Sequence, residues 1–240
     1  MAGNIIIGNY GLPTSQFTKF SGFSNTVTTS VARTRAMACD WNNSDSNLYF
    51  GSDTGSNKYY KGTGFGVTVQ SSFATPIDNT PYDMDHDSSG NFFLAMNETK
   101  IFKMSGFSST VSDSLTEAAA SRGVTWDGTN LITNINTPKT KLHSGFSTTI
   151  SSSFTLANFL EAIAWDGTDL YGGISGSVRY LHLSGFSSTV SDSFTTIVNV
   201  TDPIGVDWDA FPAVSTAVTA VVTPRLSPSG GVVQGGGGII

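Results

Sequence analysis

Short apolar runs fill this chain, among them FFLAM at Phe92, LIT at Leu131 and LYG at Leu170, and each is set off by Gly, Ser, Asp or Asn. Runs of about five residues between turn signals predict β-strands. No segment keeps a convincing 3.6-residue period, and LTEAAASR, Leu115 to Arg122, is the best candidate for a short helix. The order of runs and turns then repeats. SGFSNTV at Ser21 returns as GTGFGVTV at Gly62, SGFSSTV at Ser105, SGFSTTI at Ser144 and SGFSSTV at Ser184. The glycines of the Gly-Phe pairs are Gly22, Gly64, Gly106, Gly145 and Gly185, at intervals of 42, 42, 39 and 40 residues.

A second phrase lies midway between these copies: ACDWNNSDSNLYF at Ala38, DMDHDSSGNFFL at Asp83, GVTWDGTNLIT at Gly123, AIAWDGTDLYG at Ala162 and GVDWDA at Gly205. One column holds Trp41, His86, Trp126, Trp165 and Trp208. Three positions earlier the column is small, Ala38, Gly123, Ala162 and Gly205, with Asp83 as the exception. Trp-Asp-Gly-Thr-Asn followed by an apolar run is a hairpin signal, because Gly supplies a positive φ and Asp or Asn tolerates it. One unit therefore parses into four strands, near Arg122–Trp126, Leu131–Ile135, Thr140–Ser144 and Thr148–Phe154.

Four antiparallel strands in about 40 residues predict a propeller blade, so the fold class is all-β, a five-bladed β-propeller. The small column is expected near the crowded axis, the Trp column between blades, and the Ser/Thr-rich fourth strands at the wet outer edge. The fifth unit stops after GVDWDA, and its missing strands are expected at the other end of the chain, at Asn4–Gly8 and Phe17–Ser21. A blade shared by both ends closes the ring and leaves no open sheet edge at that joint. The propeller is expected to occupy residues 1–210.

Residues 211–240 read differently. They carry one charge, Arg225, a glycine run from Gly235 to Gly238, and β-branched residues from Val214 to Thr223. Disordered tails are usually polar and charged. The expectation is an extended arm that docks on a partner chain through Phe211, Val214, Val218, Val221, Val222, Leu226, Val232 and Val233. A linker without structure is the bland alternative.

Only 12% of residues are charged, the net charge is −6 and the pI is about 4.8, which argues against nucleic acid and anionic membranes as partners. Mean hydropathy is −0.01, and no apolar run is long enough for a spanning helix. The opening MAGNIIIGNYGLP lacks the basic region and apolar core of a secretory signal. One cysteine, Cys39, excludes an internal disulfide framework and is expected as a small buried hydrophobe.

Candidate chemistry is sparse. Asp83 to Asn91 resembles a calcium loop but lacks the downstream bidentate Glu, and it aligns with the strand and turn of the other units. Asp40, Asp85 and Asp207 share one column, and Asp83, two residues before Asp85, faces the same side. These acids either gather at the axial mouth as a cation or polar-ligand site or hydrogen-bond the neighbouring blade. His86, His143 and His182 show no metal spacing, and His86 is expected as a packed, satisfied core residue in the Trp column. Phe23, Phe65, Phe107, Phe146 and Phe186 either stack on a saccharide or staple the outer turn to the core. No nucleophile pair, phosphate-cradling loop or metal-ligand spacing is present, so no catalysis, metal or cofactor is expected.

The SGFSSTV phrases at Ser105 and Ser184, with WDGTNLI at Trp126 and WDGTDLY at Trp165, resemble the short-blade propellers of bacteriophage structural proteins. Blade count, blade length and ring closure are also similar to five-bladed lectins of the tachylectin kind. The resemblance spans about residues 4 to 210 and carries over no sugar contact. It implies a non-enzymatic virion protein, a head decoration, spike or tail accessory, whose partners are other assembly proteins. The lectin likeness implies cell-surface glycan as the alternative ligand.

Overall fold

Two kinds of turn, both written into the repeat, decide where the strands begin and end. The structure, a computed structural model, describes residues 3–10, 15–53, 57–196 and 202–210. In the Trp-Asp-Gly-Thr turn, Asp127 Oδ1 accepts the N–H groups of Thr129 (2.8 Å) and Asn130 (2.6 Å). Gly128 takes φ 99°, which a residue with a Cβ adopts only under strain. In the Ser-Gly-Phe turn the Ser108 hydroxyl donates to the Ser105 carbonyl (2.8 Å) and accepts the Thr110 N–H (3.2 Å). The second turn hangs on the first. Asn130 Oδ1 accepts the Gly145 N–H at 3.1 Å, Asn47 Oδ1 that of Gly64 at 2.9 Å, and Asp169 Oδ1 that of Gly185 at 2.7 Å.

The strands between these turns are β1 (Gly3–Tyr10), β2 (Gln16–Ser21), β3 (Val27–Ala32), β4 (Ala36–Asn42), β5 (Asn47–Ser52), β6 (Lys58–Lys61) and β7 (Ser71–Ala74). They continue as β8 (Pro81–His86), β9 (Phe92–Met96), β10 (Lys100–Met104), β11 (Val111–Thr116), β12 (Ser121–Trp126), β13 (Leu131–Ile135) and β14 (Lys139–His143). The last are β15 (Ile150–Thr155), β16 (Leu160–Trp165), β17 (Leu170–Ile174), β18 (Arg179–Leu183), β19 (Val190–Thr195) and β20 (Asp202–Ala210). They form five four-stranded antiparallel sheets: β4–β7, β8–β11, β12–β15, β16–β19, and β20 with β1–β3. These are blades one to five of a five-bladed β-propeller. Among the described residues there is no helix. Leu115 to Arg122 instead ends β11 and opens β12, because the unit needs those residues as strand edges.

The inner strands β4, β8, β12, β16 and β20 stand side by side around the axis. β1 pairs with β20 in the register Ile5↔Trp208 and Ile7↔Val206, so the ring closes with strands from both ends of the chain. Space at the centre is tight. A Cβ on Gly123 would lie 2.9 Å from Ile163 Cγ1, and one on Gly205 would lie 2.7 Å from the Met37 carbonyl. The outer strands are exposed along most of their length, as β11 and β15 show. The docking arm expected from Phe211 to Val233 lies outside the described residues.

The hydrophobic core is divided into five clusters, one in each seam between neighbouring blades. Each seam receives one phenylalanine of the repeated phrase. Phe107 meets Tyr49 and Phe73 of blade one (4.9 and 4.8 Å between ring centres), and Phe146 meets Phe93 of blade two (5.6 Å). Phe186 meets Phe154 of blade three (4.9 Å), Phe23 meets Phe194 of blade four (4.8 Å), and Phe65 packs into the cluster of Ile6 and Phe17 of blade five. The pairs of Phe107, Phe186 and Phe23 are edge-to-face, and such pairs add about 0.5–1.5 kcal/mol each to plain burial. The Trp column also sits in the seams: Trp126 stacks on Phe93 (4.9 Å) and Trp208 on Tyr171 (4.4 Å).

Blades two and three share one buried polar staple. Glu117, in the connection between β11 and β12, accepts from the Thr133 hydroxyl (2.7 Å), meets His143 Nε2 (2.9 Å) and pairs with Lys141. Burial alone would raise the Glu117 carboxyl, but the bonds from His143, Lys141 and Thr133 hold it at about 2. The native state therefore binds this proton less readily than the unfolded chain does. The resulting stability is present above pH 4.5 and is lost as pH falls towards 2. Glu117→Gln should cost about 1–3 kcal/mol at pH 7 in urea unfolding, as expected for a lost charged hydrogen-bond acceptor, and the gap to the parent should narrow steadily below pH 4.5.

Candidate functional site

The inner strands place one equivalent residue per blade beside the axis: Asp40, Asp85, Thr125, Ala164 and Asp207. Side chains alternate along a strand, so this column faces the next blade and the Trp column the previous one. Asp207 Oδ2 accepts the Trp41 N–H at 2.6 Å, from blade five to blade one. Asp85 Oδ2 accepts the Trp126 N–H (2.6 Å) and the Thr125 hydroxyl (2.7 Å), from blade two to blade three. Asp40 has an imidazole opposite it instead: its Oδ2 lies 2.8 Å from His86 Nδ1. Asp85 Oδ1 stands 3.9 Å from the same nitrogen.

His86, expected as a packed and satisfied residue of the Trp column, has both a ring contact and a polar partner. It stacks on Phe92 of its own blade, remains half-buried and turns its ring nitrogen to Asp40 of the preceding blade. An imidazole is smaller than the indole it replaces and carries a polar edge, so it reaches the acid rather than filling the seam.

Asp83 explains the exception in the small column. Its Oδ2 accepts the N–H groups of Val124 and Ile163, each at 3.0 Å, which ties blade two to blades three and four at once. Only a carboxylate standing in the central lumen reaches both inner strands. Asp83 is fully buried, and its Oδ1 has no hydrogen-bond partner. Cys39 is fully buried on the neighbouring inner strand, with Sγ 3.9 Å from the Ile6 carbonyl.

Electrostatics follow from this crowding. Burial pushes the Asp83 carboxyl well up against the pull of the Ile163 and Val124 N–H bonds, and the charge of Asp85 pushes it further. Burial and then Asp40 raise Asp85 to about 6. Asp207 rises for the same reason, with Asp40 and Asp85 as its neighbours. Burial works against the His86 imidazolium, but Asp40, Asp85 and Asp207 reverse that effect and raise it to about 10. The Cys39 thiol rises through burial and through Asp207, Asp83 and Asp40. Asp40, Asp85 and His86 each offer a ligand atom, all within 4.8 Å of one another. A cleft of about 430 Å³ bounded by Asn42, Ser44 and the Asp87–Gly90 turn reaches His86 from outside.

A second concavity of about 530 Å³ opens in the seam between blades four and five. Phe23 lines it with Tyr171, His182, Trp208, Asp166 and Asp169. Tyr171 is sandwiched between Trp208 (4.4 Å) and His182 (4.6 Å). Its hydroxyl donates to Asp166 Oδ2 at 2.9 Å, and His182 Nε2 lies 2.9 Å from Asp169 Oδ2. Burial and Asp166 raise the Tyr171 hydroxyl, so it stays protonated at neutral pH. Phe65, Phe107, Phe146 and Phe186 are half-buried in the other seams. The residues that sequence reasoning did not assign to a site are Tyr171, His182, Asp166 and Asp169. For Asp166, Asp169 and Tyr171 the signal was the Asp-Gly-Thr-Asp-Leu-Tyr variant of the turn phrase.

No protein-family model matches the chain, and no curated protein does. Solved structures do. The glutaminyl cyclase of Myxococcus xanthus aligns with a TM-score of 0.52 at 12% identity, over 73% of this chain and 70% of that one. A protein of unknown function from Bacteroides caccae gives 0.49 at 12% identity, over 81% and 73%. The WD40 domain of Neurospora crassa Pan2 gives 0.47 at 9% identity, over 67% of this chain, which spans half the length of that one. At these identities the likeness concerns the propeller fold alone.

Asp83→Ala strands two buried N–H donors, so it should lower unfolding stability by about 2–4 kcal/mol. Asp83→Asn keeps one acceptor oxygen and should recover at least half of that loss. Urea midpoints of the two variants make the comparison.

Proposed function

We propose that this chain is a non-catalytic structural and interaction propeller of a phage-like particle, a surface decoration, spike or tail accessory anchored by residues 211–240. The observation that carries the reading is a ring of exposed branched residues, one per blade: Val27, Val69, Val111, Ile150 and Val190, each 41–46% exposed. Each follows the Gly-Phe turn of its unit, so all five lie on the face that bears both turn types. Apolar side chains repeated on one face of an otherwise Ser/Thr-coated ring fit contact with other proteins. β20 ends at Ala210 opposite Gly3 on that same face, and the arm sequence follows from there. The partners are neighbouring proteins of the assembly, and the chain's place is the virion. The acidic balance gives no basis for nucleic-acid or membrane partners.

Removing residues 212–240 should leave melting temperature and near-UV circular dichroism of the ring unchanged while incorporation into particles is lost. Normal incorporation of the truncated chain would refute the anchor.

One observation favours a second reading, a saccharide-binding propeller attaching the particle to a host surface. The cleft at Phe23 joins aromatic rings to the carboxylates of Asp166 and Asp169, a combination that suits sugar faces and hydroxyls. The two carboxylates oppose acidic sugars. Neutral glycans on an array should bind the parent, and His182→Ala should bind at least tenfold more weakly. An array without signal at high protein concentration would end this reading.

A further inference from the structure

We propose that the axial mouth is a divalent-cation site, with Asp40, Asp85 and His86 as protein ligands and Asp207 as a flanking charge. The four side chains come from blades one, two and five, and the ring alone brings them together. Candidate ligand atoms of Asp40, Asp85 and His86 lie within 4.8 Å of one another, close enough for small side-chain shifts to bring them to one ion. Among the described residues, no lysine or arginine pairs with Asp40, Asp83, Asp85 or Asp207. Four carboxylates thus face a single imidazole in a poorly solvated centre.

Asp83 gives an independent reason. Its carboxylate stands in the lumen below the mouth, fully buried, and Oδ1 has no partner there. The rest of its column, Ala38, Gly123, Ala162 and Gly205, carries no polar side chain that could serve one. Buried carboxylate oxygens almost always have a donor or a cation. A cation at the mouth, two residues along the same strand, offsets the charge that this column leaves unanswered. The cleft of about 430 Å³ that reaches His86 gives an entry path.

The donor set selects the ion class. Two carboxylates and one imidazole, whose Nδ1 proton the bound ion displaces to solvent, with positions left open to water, suit a first-row ion such as Mn2+ or Zn2+ better than the all-oxygen shells of Ca2+ and Mg2+. The ion would pin the inner strands of blades one and two beside that of blade five. Binding only to the native ring would raise its melting temperature.

The experiment uses the full chain stripped with a chelator and dialysed, then titrated calorimetrically with Mn2+ or Zn2+. One ion should bind per chain and raise the melting temperature. Asp40→Asn and Asp85→Asn should each weaken binding at least tenfold, and His86→Gln should shift preference from Zn2+ towards Mn2+. Asp85→Asn keeps an acceptor for the Trp126 N–H, so its near-UV circular dichroism should match the parent. Asp192→Asn, on an exposed outer strand, should bind like the parent. The absence of saturable binding by the folded parent overturns the proposal. So does unchanged affinity in folded Asp85→Asn and Asp40→Asn.

Discussion

The reach of an inner-strand carboxylate into the next blade is the contact on which the ring depends. A propeller blade is hydrogen-bonded within itself, so nothing in its own ladder joins it to a neighbour. Asp207 and Asp85 supply the join in two of the five seams by accepting a backbone N–H from the following blade, while the two seams of blade four close on apolar clusters. Asp83 does more, because its position in a column of Ala and Gly leaves room for one carboxylate to span two blades. The cost is a crowd of acids at the centre, which raises Asp83, Asp85 and Asp207 together and holds His86 charged.

Around that centre, the seams are filled from the edge inwards. The Ser-Gly-Phe turn aims one ring at the preceding blade, and the Trp column presses against the same blade nearer the axis. The Asn or Asp that ends the first turn holds the glycine of the second, so the aim of the phenylalanine is set by both phrases. This division explains the low charge of the chain. The surface is finished with Ser and Thr hydroxyls, and the acids that exist are concentrated in turns and at the axis.

The repeated part of the fold was legible in the sequence because its causes are local. Positive φ at Gly106 and Gly145, capping by Asp127 and the position of Trp126 follow from residues within one unit. Ring closure was legible as well, since GVDWDA lacked the strands that Asn4–Gly8 and Phe17–Ser21 supply. The single-copy features were not. The partners of Glu117, the second reach of Asp83 to Ile163 and the Tyr171 stack depend on which blade stands opposite. His86 is the clearest case: its column predicted packing, while Asp40, from the neighbouring inner strand, decided its role. The axial acids could be grouped from their shared column, but only the assembled ring shows which of them keep an unpaired oxygen.

The central claim is that both ends of the chain close one ring whose inner strands are joined blade to blade. Native-state hydrogen exchange of the β1 and β20 amides, read beside those of Val124, Trp126 and Ile163, tests it most directly. A closed ring predicts that all of these exchange together, at the slowest rates and through global unfolding. Fast exchange across β1 and β20, with blades two to four still protected, would contradict closure and the shared fifth blade.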